Sequence, residues 1–238
     1  MKRKLQIIRY KLKKYKAFEK VYHFLNQTIY FKLCRKYHVW QLHRNGAEIL
    51  RRLDAAMTEC GCEYWLDYGT LLGAMREHDF IRHDHDIDTG CLWQGNLPSL
   101  EKVMLKHGFK KSSQISVGNQ VTEQSYDILG TSVDIFFYFP NEEEGGLKGW
   151  LFNAIEPYGW NETFVKFGGY GVRSINTKIE GFETIKFKGV DVKVPGNWAW
   201  YLKNVYGESY MTPDPAFKHS TTTAITHHKD KLGVAEFF

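Results

Sequence analysis

Neither proline nor glycine occurs in the first 45 residues. The strongest turn formers are therefore missing from that segment, which excludes a loop-rich arm and favours continuous helix. Acid is almost absent there too. Residues 1–52 hold 15 Lys and Arg against 2 Asp and Glu, or 15 − 2 = +13. The rest of the chain holds 32 − 15 = 17 basic and 27 − 2 = 25 acidic residues, or −8. A basic arm beside an acidic body points to a polyanionic partner. No apolar run approaches the roughly 18 residues that a membrane-crossing helix needs. The basic N-terminus has no apolar core of a secretory signal, so the catalytic part is expected in the cytoplasm. Cysteine is scarce: Cys34, Cys60, Cys62 and Cys91 match no zinc-ligand spacing, and free thiols in a reducing compartment are expected. Internal repeats and low-complexity tracts are missing as well.

What is present suffices for a packed core: 43% hydrophobic and 16% aromatic residues in 238, enough for one large domain with an appendage. We place an arm at 1–45 and a catalytic domain at 46–238. Within the arm, Leu5, Ile8, Leu12, Tyr15 and Tyr22 fall near one helical stripe, with Phe18, Val21, Leu25 and Ile29 beside it. One or two basic amphipathic helices follow. They suit an anionic membrane surface, or a solvated helix packed on the domain. No recognised nucleic-acid motif accompanies the charge, and no specific nucleic acid is expected.

Gly46 is read as the break after the arm. Beyond it the pattern predicts a helix over 47–59 ended by Gly61, a strand over 63–67, a turn at Gly69-Thr70 and a helix over 71–76. A strand over 84–89, a helix over 98–107, and strands over 114–122 and 125–139 follow. Residues 141–149 read as a loop, and 150–181 carry no clear period. A hairpin over 182–194 and a helix over 197–206 come next. The tail after Pro213, with His219, His227 and His228, reads as a polar end with little order.

The chemistry concentrates between Trp65 and Gly90. Asp84, Asp86 and Asp88 alternate, so on a strand their carboxylates share one face. Like charges so placed repel unless a cation or water relieves them. Mg²⁺ takes oxygen ligands and bridges carboxylates to phosphates. Asp134 lies in the otherwise apolar run Val133–Phe139, where an acid is costly unless paired or metal-bound; it is the natural further carboxylate. The start of the 71–76 helix at Gly69-Thr70 offers backbone amides of the kind that bind phosphate.

Gly69-Thr-Leu-Leu-Gly-Ala-Met-Arg76 followed by Phe80-Ile and Asp84-His-Asp-Ile-Asp88 resembles the LicD family, which also includes fukutin and the fukutin-related protein. Val133-Asp134-Ile135-Phe136, the segment Val194–Gly207, and Thr212-Pro213 continue the pattern over roughly residues 47–215. The sequence departs from the family at Arg82-His83, where Pro-Trp is common, and at His85, where a third consecutive acid is frequent. The resemblance implies an α+β fold, a nucleotidyltransferase-like mixed β-sheet flanked by helices, behind the basic amphipathic arm. It also implies a metal-dependent phosphotransferase. Such an enzyme moves a phospho-alcohol of the phosphocholine, ribitol or glycerol phosphate type from a CDP-activated donor onto a sugar hydroxyl of a cell-surface glycan. The acceptor would be a glycan or lipid-linked glycan at the inner face of the cytoplasmic membrane, with residues 1–40 as the membrane contact. Mg²⁺ or Mn²⁺ is the implied cofactor.

On that resemblance, Asp86, Asp88 and Asp134 are the expected catalytic metal ligands. Gly69 and Thr70 would admit donor phosphates. Arg76 is either a phosphate clamp or half of a structural salt bridge. Asp84 is either close to the metal or solvated. Asp67 either contacts substrate or caps a turn. His83 and His85 either bond the donor or point to the opposite strand face. Two other functions are open: transfer of a nucleoside monophosphate to a sugar, protein or RNA, and a non-catalytic membrane-surface binding protein.

Overall fold

The computed structural model describes residues 29–142, 145–214 and 224–238. Helix α1 (Ile29–Cys60) is its first element. Leu42, Ile49, Leu50, Leu53, Ala56 and Met57 recur along one side of it and are buried. Burying each larger member of that stripe is worth about 1.5–3 kcal/mol. The helix stops where expected. Gly61 adopts a left-handed φ of +69°, and the amides of Gly61 and Cys62 donate to the carbonyls of Thr58 (3.1 Å) and Met57 (2.9 Å). This pattern satisfies the last carbonyls of a helix.

The break expected at Gly46 is absent. A Cβ at Gly46 would lie 2.3 Å from the Phe80 ring, so glycine is required for close packing there and not for a turn. The arm–domain boundary at 45/46 thus falls inside a continuous helix, and Leu42, on the arm side, sits in the core. Residues 1–28 of the arm lie outside the described residues.

After α1 come β1 (Tyr64–Leu66), α2 (Tyr68–Arg76), β2 (Asp86–Leu92), α3 (Leu97–Lys106), β3 (Lys110–Val117), β4 (Gln120–Ile128) and β5 (Thr131–Pro140). The chain continues through β6 (Leu147–Asn153), α4 (Trp160–Phe167), β7 (Gly169–Thr177), β8 (Phe182–Phe187), β9 (Val190–Pro195), α5 (Trp198–Tyr206) and β10 (Ile225–Phe237). Eight strands form one mixed sheet in the order β1-β2-β5-β4-β3-β10-β7-β6. Strand β2 runs parallel to β5, with Asp88 opposite Asp134. Where β2 ends, the tip of β5 pairs with β6 through Phe139–Lys148 and Pro140–Leu147. Six strands thereby close into a barrel, and β1 and β2 extend from its side. The β8–β9 hairpin packs against β1, α1 and α5.

The α+β class and the mixed sheet hold, and six of its strands close into a barrel. Two long strands read over 114–122 and 125–139 are three. Leu129 and Gly130 both take positive φ (47° and 80°), the geometry of a two-residue hairpin turn, and Gly118 turns β3 into β4. Residues 150–181 form β6, α4 and β7. The expected disorder after Pro213 is overturned for 225–237, which form β10 between β7 and β3; His219 lies outside the described residues. The reason is close backbone packing: a Cβ at Gly169 would meet the Gly233 carbonyl at 2.3 Å, and one at Gly233 would meet Phe152 at 2.3 Å. Such strand glycines read as loop in a sequence.

The four cysteines are free thiols. Among the described residues no helix is long and apolar enough to cross a membrane.

Gly46→Ala separates packing from propensity. Helix propensity alone favours alanine by about 1 kcal/mol, whereas overpacking against buried Phe80 costs about 1–3 kcal/mol. We expect net destabilisation of up to about 2 kcal/mol by urea unfolding, relieved in Gly46→Ala/Phe80→Leu. A gain in stability for the single variant would contradict the packing account.

Candidate active site

The site forms where α2 starts against the N-terminal ends of β2 and β5. Alternation along β5 buries Val133, Ile135 and Phe137 and leaves Ser132, Asp134 and Phe136 on the other face. Alternation along β2 likewise buries Ile87 and leaves Asp86 and Asp88 half-buried. The parallel register sets the two sets side by side. Asp86, Asp88 and Asp134 each offer an oxygen within 4.8 Å of the others, and no other such group of His, Cys, Asp or Glu occurs among the described residues. The Ser132 hydroxyl donates to Asp134 Oδ1 (3.1 Å).

Asp88 is gripped twice by α2. The Gly69 amide donates to its Oδ2 (3.1 Å), and its own amide donates to Thr70 Oγ1 (2.9 Å). A Cβ at Gly69 would lie 3.1 Å from Asp84 Oδ2 and 3.2 Å from Asp88 Oδ2. Gly69 is thus needed because two carboxylates crowd it. Gly69 also lines the cavity described below. Thr70 is buried and does not line the cavity, and both residues hold Asp88, because the β1–α2 turn lies directly over β2.

Asp84 precedes β2 and is not on its face. It sits in a turn closed by its amide and the Ile81 carbonyl (2.9 Å), yet its carboxylate reaches the same corner at Gly69. Burial first, and then Asp86, raise its pKa. For Asp88, burial first, then Asp86 and Asp134, push the carboxyl well above the ordinary range. Asp86, Asp88 and Asp134 form an all-oxygen donor set of the kind that would suit Mg²⁺ or Mn²⁺.

Asp67 is the cap and not a cavity residue. It is fully buried and accepts the Tyr68 amide (2.8 Å), the Tyr138 hydroxyl (2.8 Å) and the Tyr201 hydroxyl. The Tyr68 backbone has a φ of +36°, a strained value for a side chain of that size. Arg76 donates to Glu77 (2.7 Å) and to the Tyr210 carbonyl (3.1 Å), so the structural salt bridge forms. It also lines the cavity.

The cavity measures about 910 Å³ and joins Asp84, Asp86 and Asp88 to the barrel interior. His83 lines it, against the expected opposite face; His85 is half exposed, 4.0 Å from Asp86. The sequence reading missed the far wall: Tyr170 and Arg173 lie on β7, a strand with no readable period, and Tyr206 ends α5, a helix that was expected but not tied to the site. Among the C-terminal histidines, His228 pairs with the Ser174 hydroxyl (2.8 Å) and lies near no metal-ligand cluster among the described residues.

Burial raises the Asp67 pKa from 3.8 to about 6, against the lowering effect of its tyrosine bonds. Between pH 4 and 6 the folded protein keeps a proton there that the unfolded chain has lost, so stability falls as pH rises. Asn at 67 keeps a cap and does not titrate. In EDTA, the stability of Asp67→Asn relative to the parent is expected to rise by up to about 3 kcal/mol across that window. Parallel urea-unfolding curves would show that Asp67 has an ordinary pKa.

Comparison with known proteins adds the following. The uncharacterized protein RT0683 of Rickettsia typhi is 26% identical over 126 residues, 47% of this chain and 40% of that protein. The chain thus spans less than half the length of that curated relative. The solved structure of the lincosamide antibiotic adenylyltransferase LnuA, lincomycin-bound, aligns at 18% identity with a TM-score of 0.39, covering 65% of this chain and 82% of that one. The family described as LicD/FKTN/FKRP, nucleotidyltransferase domain, matches residues 61–197, more than half of the chain and all of the aspartate corner. This protein therefore belongs to the LicD/FKTN/FKRP family.

Proposed function

We propose that this protein is a metal-dependent phosphotransferase. In this reading it moves a phospho-alcohol from a CDP-activated donor onto a sugar hydroxyl of a cell-surface glycan. The observation that carries the reading is the convergence of Asp134 with Asp86 and Asp88, two carboxylates that line a cavity of about 910 Å³. Transfer of a phosphoryl group asks a protein mainly for positioning and charge neutralisation. Mg²⁺ or Mn²⁺ held by the three carboxylates would supply that neutralisation. The chain's own residues do the positioning. Gly69 and Thr70 fix Asp88, Ser132 orients Asp134, and the buried Asp67–Tyr138–Tyr201 bonds hold the start of α2. Arg76, tied to Glu77 and Tyr210, keeps a cationic wall beside the acids.

The setting we propose is peripheral, at the inner face of the cytoplasmic membrane, with a lipid-linked or polymeric glycan as acceptor. Support comes from the basic N-terminal segment and from α1, where Leu33, Tyr37 and Trp40 are 50–56% exposed at helical spacing. Arg44 stacks on Trp40, 4.9 Å from its ring. Exposed aromatics beside basic residues suit the interface of an anionic bilayer.

Two measurements test this. Incubation with CDP-alcohols and a glycan acceptor should release CMP only with metal, and Asp86→Ala should lower turnover more than about 100-fold with the fold kept. Pyrophosphate release from a nucleoside triphosphate would instead indicate nucleotidyl transfer, and full activity in Asp86→Ala would remove the metal site from the reaction. For the membrane, serine at Leu33, Tyr37 and Trp40 should weaken sedimentation with phosphatidylserine vesicles about tenfold or more. Unchanged sedimentation would exclude α1 as a contact.

A further inference from the structure

Arg173 lies on β7, on the barrel side of the cavity. It is 9% exposed. Its Nη2 donates to the Phe152 carbonyl (3.1 Å), and its Nε has no partner. Among the described residues no carboxylate forms an ion pair with it, and burial lowers its pKa. The wall around it is apolar or aromatic: Phe136, Leu151, Phe152, Tyr170 and Ile175. Glu123 of β4 lines the same space. Arg76, the other arginine of the cavity, already has Glu77 and Tyr210. A guanidinium buried without an anion carries a desolvation cost that one carbonyl does not offset. Its planar fork of donors matches an oxyanion.

We propose that Arg173 anchors a second anionic group of the substrate, an oxyanion carried on an apolar or ring-bearing body that fills the barrel lumen. This rests on the reading above, in which the reacting phosphoryl group lies at the aspartates. The substrate then has two anionic points, one at each end of the cavity. A quaternary ammonium head beside Arg173 would meet like charge.

The test is a thermal-shift titration of the full chain in EDTA. The probes are phenyl phosphate, benzoate and phenyltrimethylammonium. The proteins are the parent, Arg173→Met, Arg173→Lys and Asp86→Asn. Phenyl phosphate or benzoate should raise the melting temperature saturably, and the tighter of the two names the oxyanion. Binding should weaken at least tenfold in Arg173→Met and stay unchanged in Asp86→Asn. Arg173→Met should melt no lower than the parent without ligand, since a buried unpaired charge is gone. If Arg173→Met does not fold, the comparison moves to Arg173→Lys, where a point charge replaces the fork and a tenfold loss is again expected.

The proposal is overturned if the parent binds neither anion, if binding survives both Arg173 substitutions, if Asp86→Asn abolishes it, or if phenyltrimethylammonium binds in preference. It is also overturned if Arg173→Met melts lower yet binds normally, which marks a structural arginine. None of these metal-free outcomes bears on the phosphotransferase reading, which depends on metal-dependent CMP release.

Discussion

Asp88 is tied to the start of α2 from both directions, through the Gly69 amide to its carboxylate and through its own amide to the Thr70 hydroxyl. Those two bonds set the height of α2 over β2, and much else depends on that height. They bring Asp84 to the same corner, they leave no room for a side chain at residue 69, and they turn the Tyr68 ring toward Phe136 and the cavity. The same turn is braced from below by Asp67, whose two oxygens are taken by tyrosines from β5 and α5. A carboxylate below and a carboxylate above thus clamp one strained residue.

The electrostatics explain why such a corner persists. Asp84 and Asp88 both have raised pKa values, with burial the largest cause and neighbouring acids next. Each acid alone would be cheaper elsewhere, and in the proposed reading a bound divalent cation would offset that cost. Stability is surrendered locally for a place where charge is welcome, a common trade at functional sites.

The legible part of the sequence was the part with strict alternation or spacing. Asp86 and Asp88 on β2, and Asp134 in a run of apolar β5 residues, could be read because period 2 places them on one face. Asp84 could not be assigned by that rule, since the strand begins two residues later, at Asp86. Gly46 misled because glycine signals a turn in sequence and close packing in space, and only Phe80, 34 positions away, distinguishes the two. The barrel was illegible for the same reason: Gly169 and Gly233 matter for what touches them across strands. Arg173 offered no signal, since a lone arginine between Gly171 and Ile175 looks like surface until the barrel closes around it.

That closure has a consequence for the order of events during synthesis. Strand β10 joins β7 to β3, whose residues are made more than a hundred positions earlier. Pairing across such a separation is slow to nucleate. Until residues 225–237 leave the ribosome, β3 and β7 each carry an open edge, and the lumen has no wall on that side. The basic segment at residues 1–52, by contrast, emerges well before residues 225–237. A nascent chain of this protein presents that charge many seconds before it owns a complete pocket, at translation rates of about 5–20 residues per second. In the proposed reading, recruitment and catalytic competence are thereby separated in time by the topology itself.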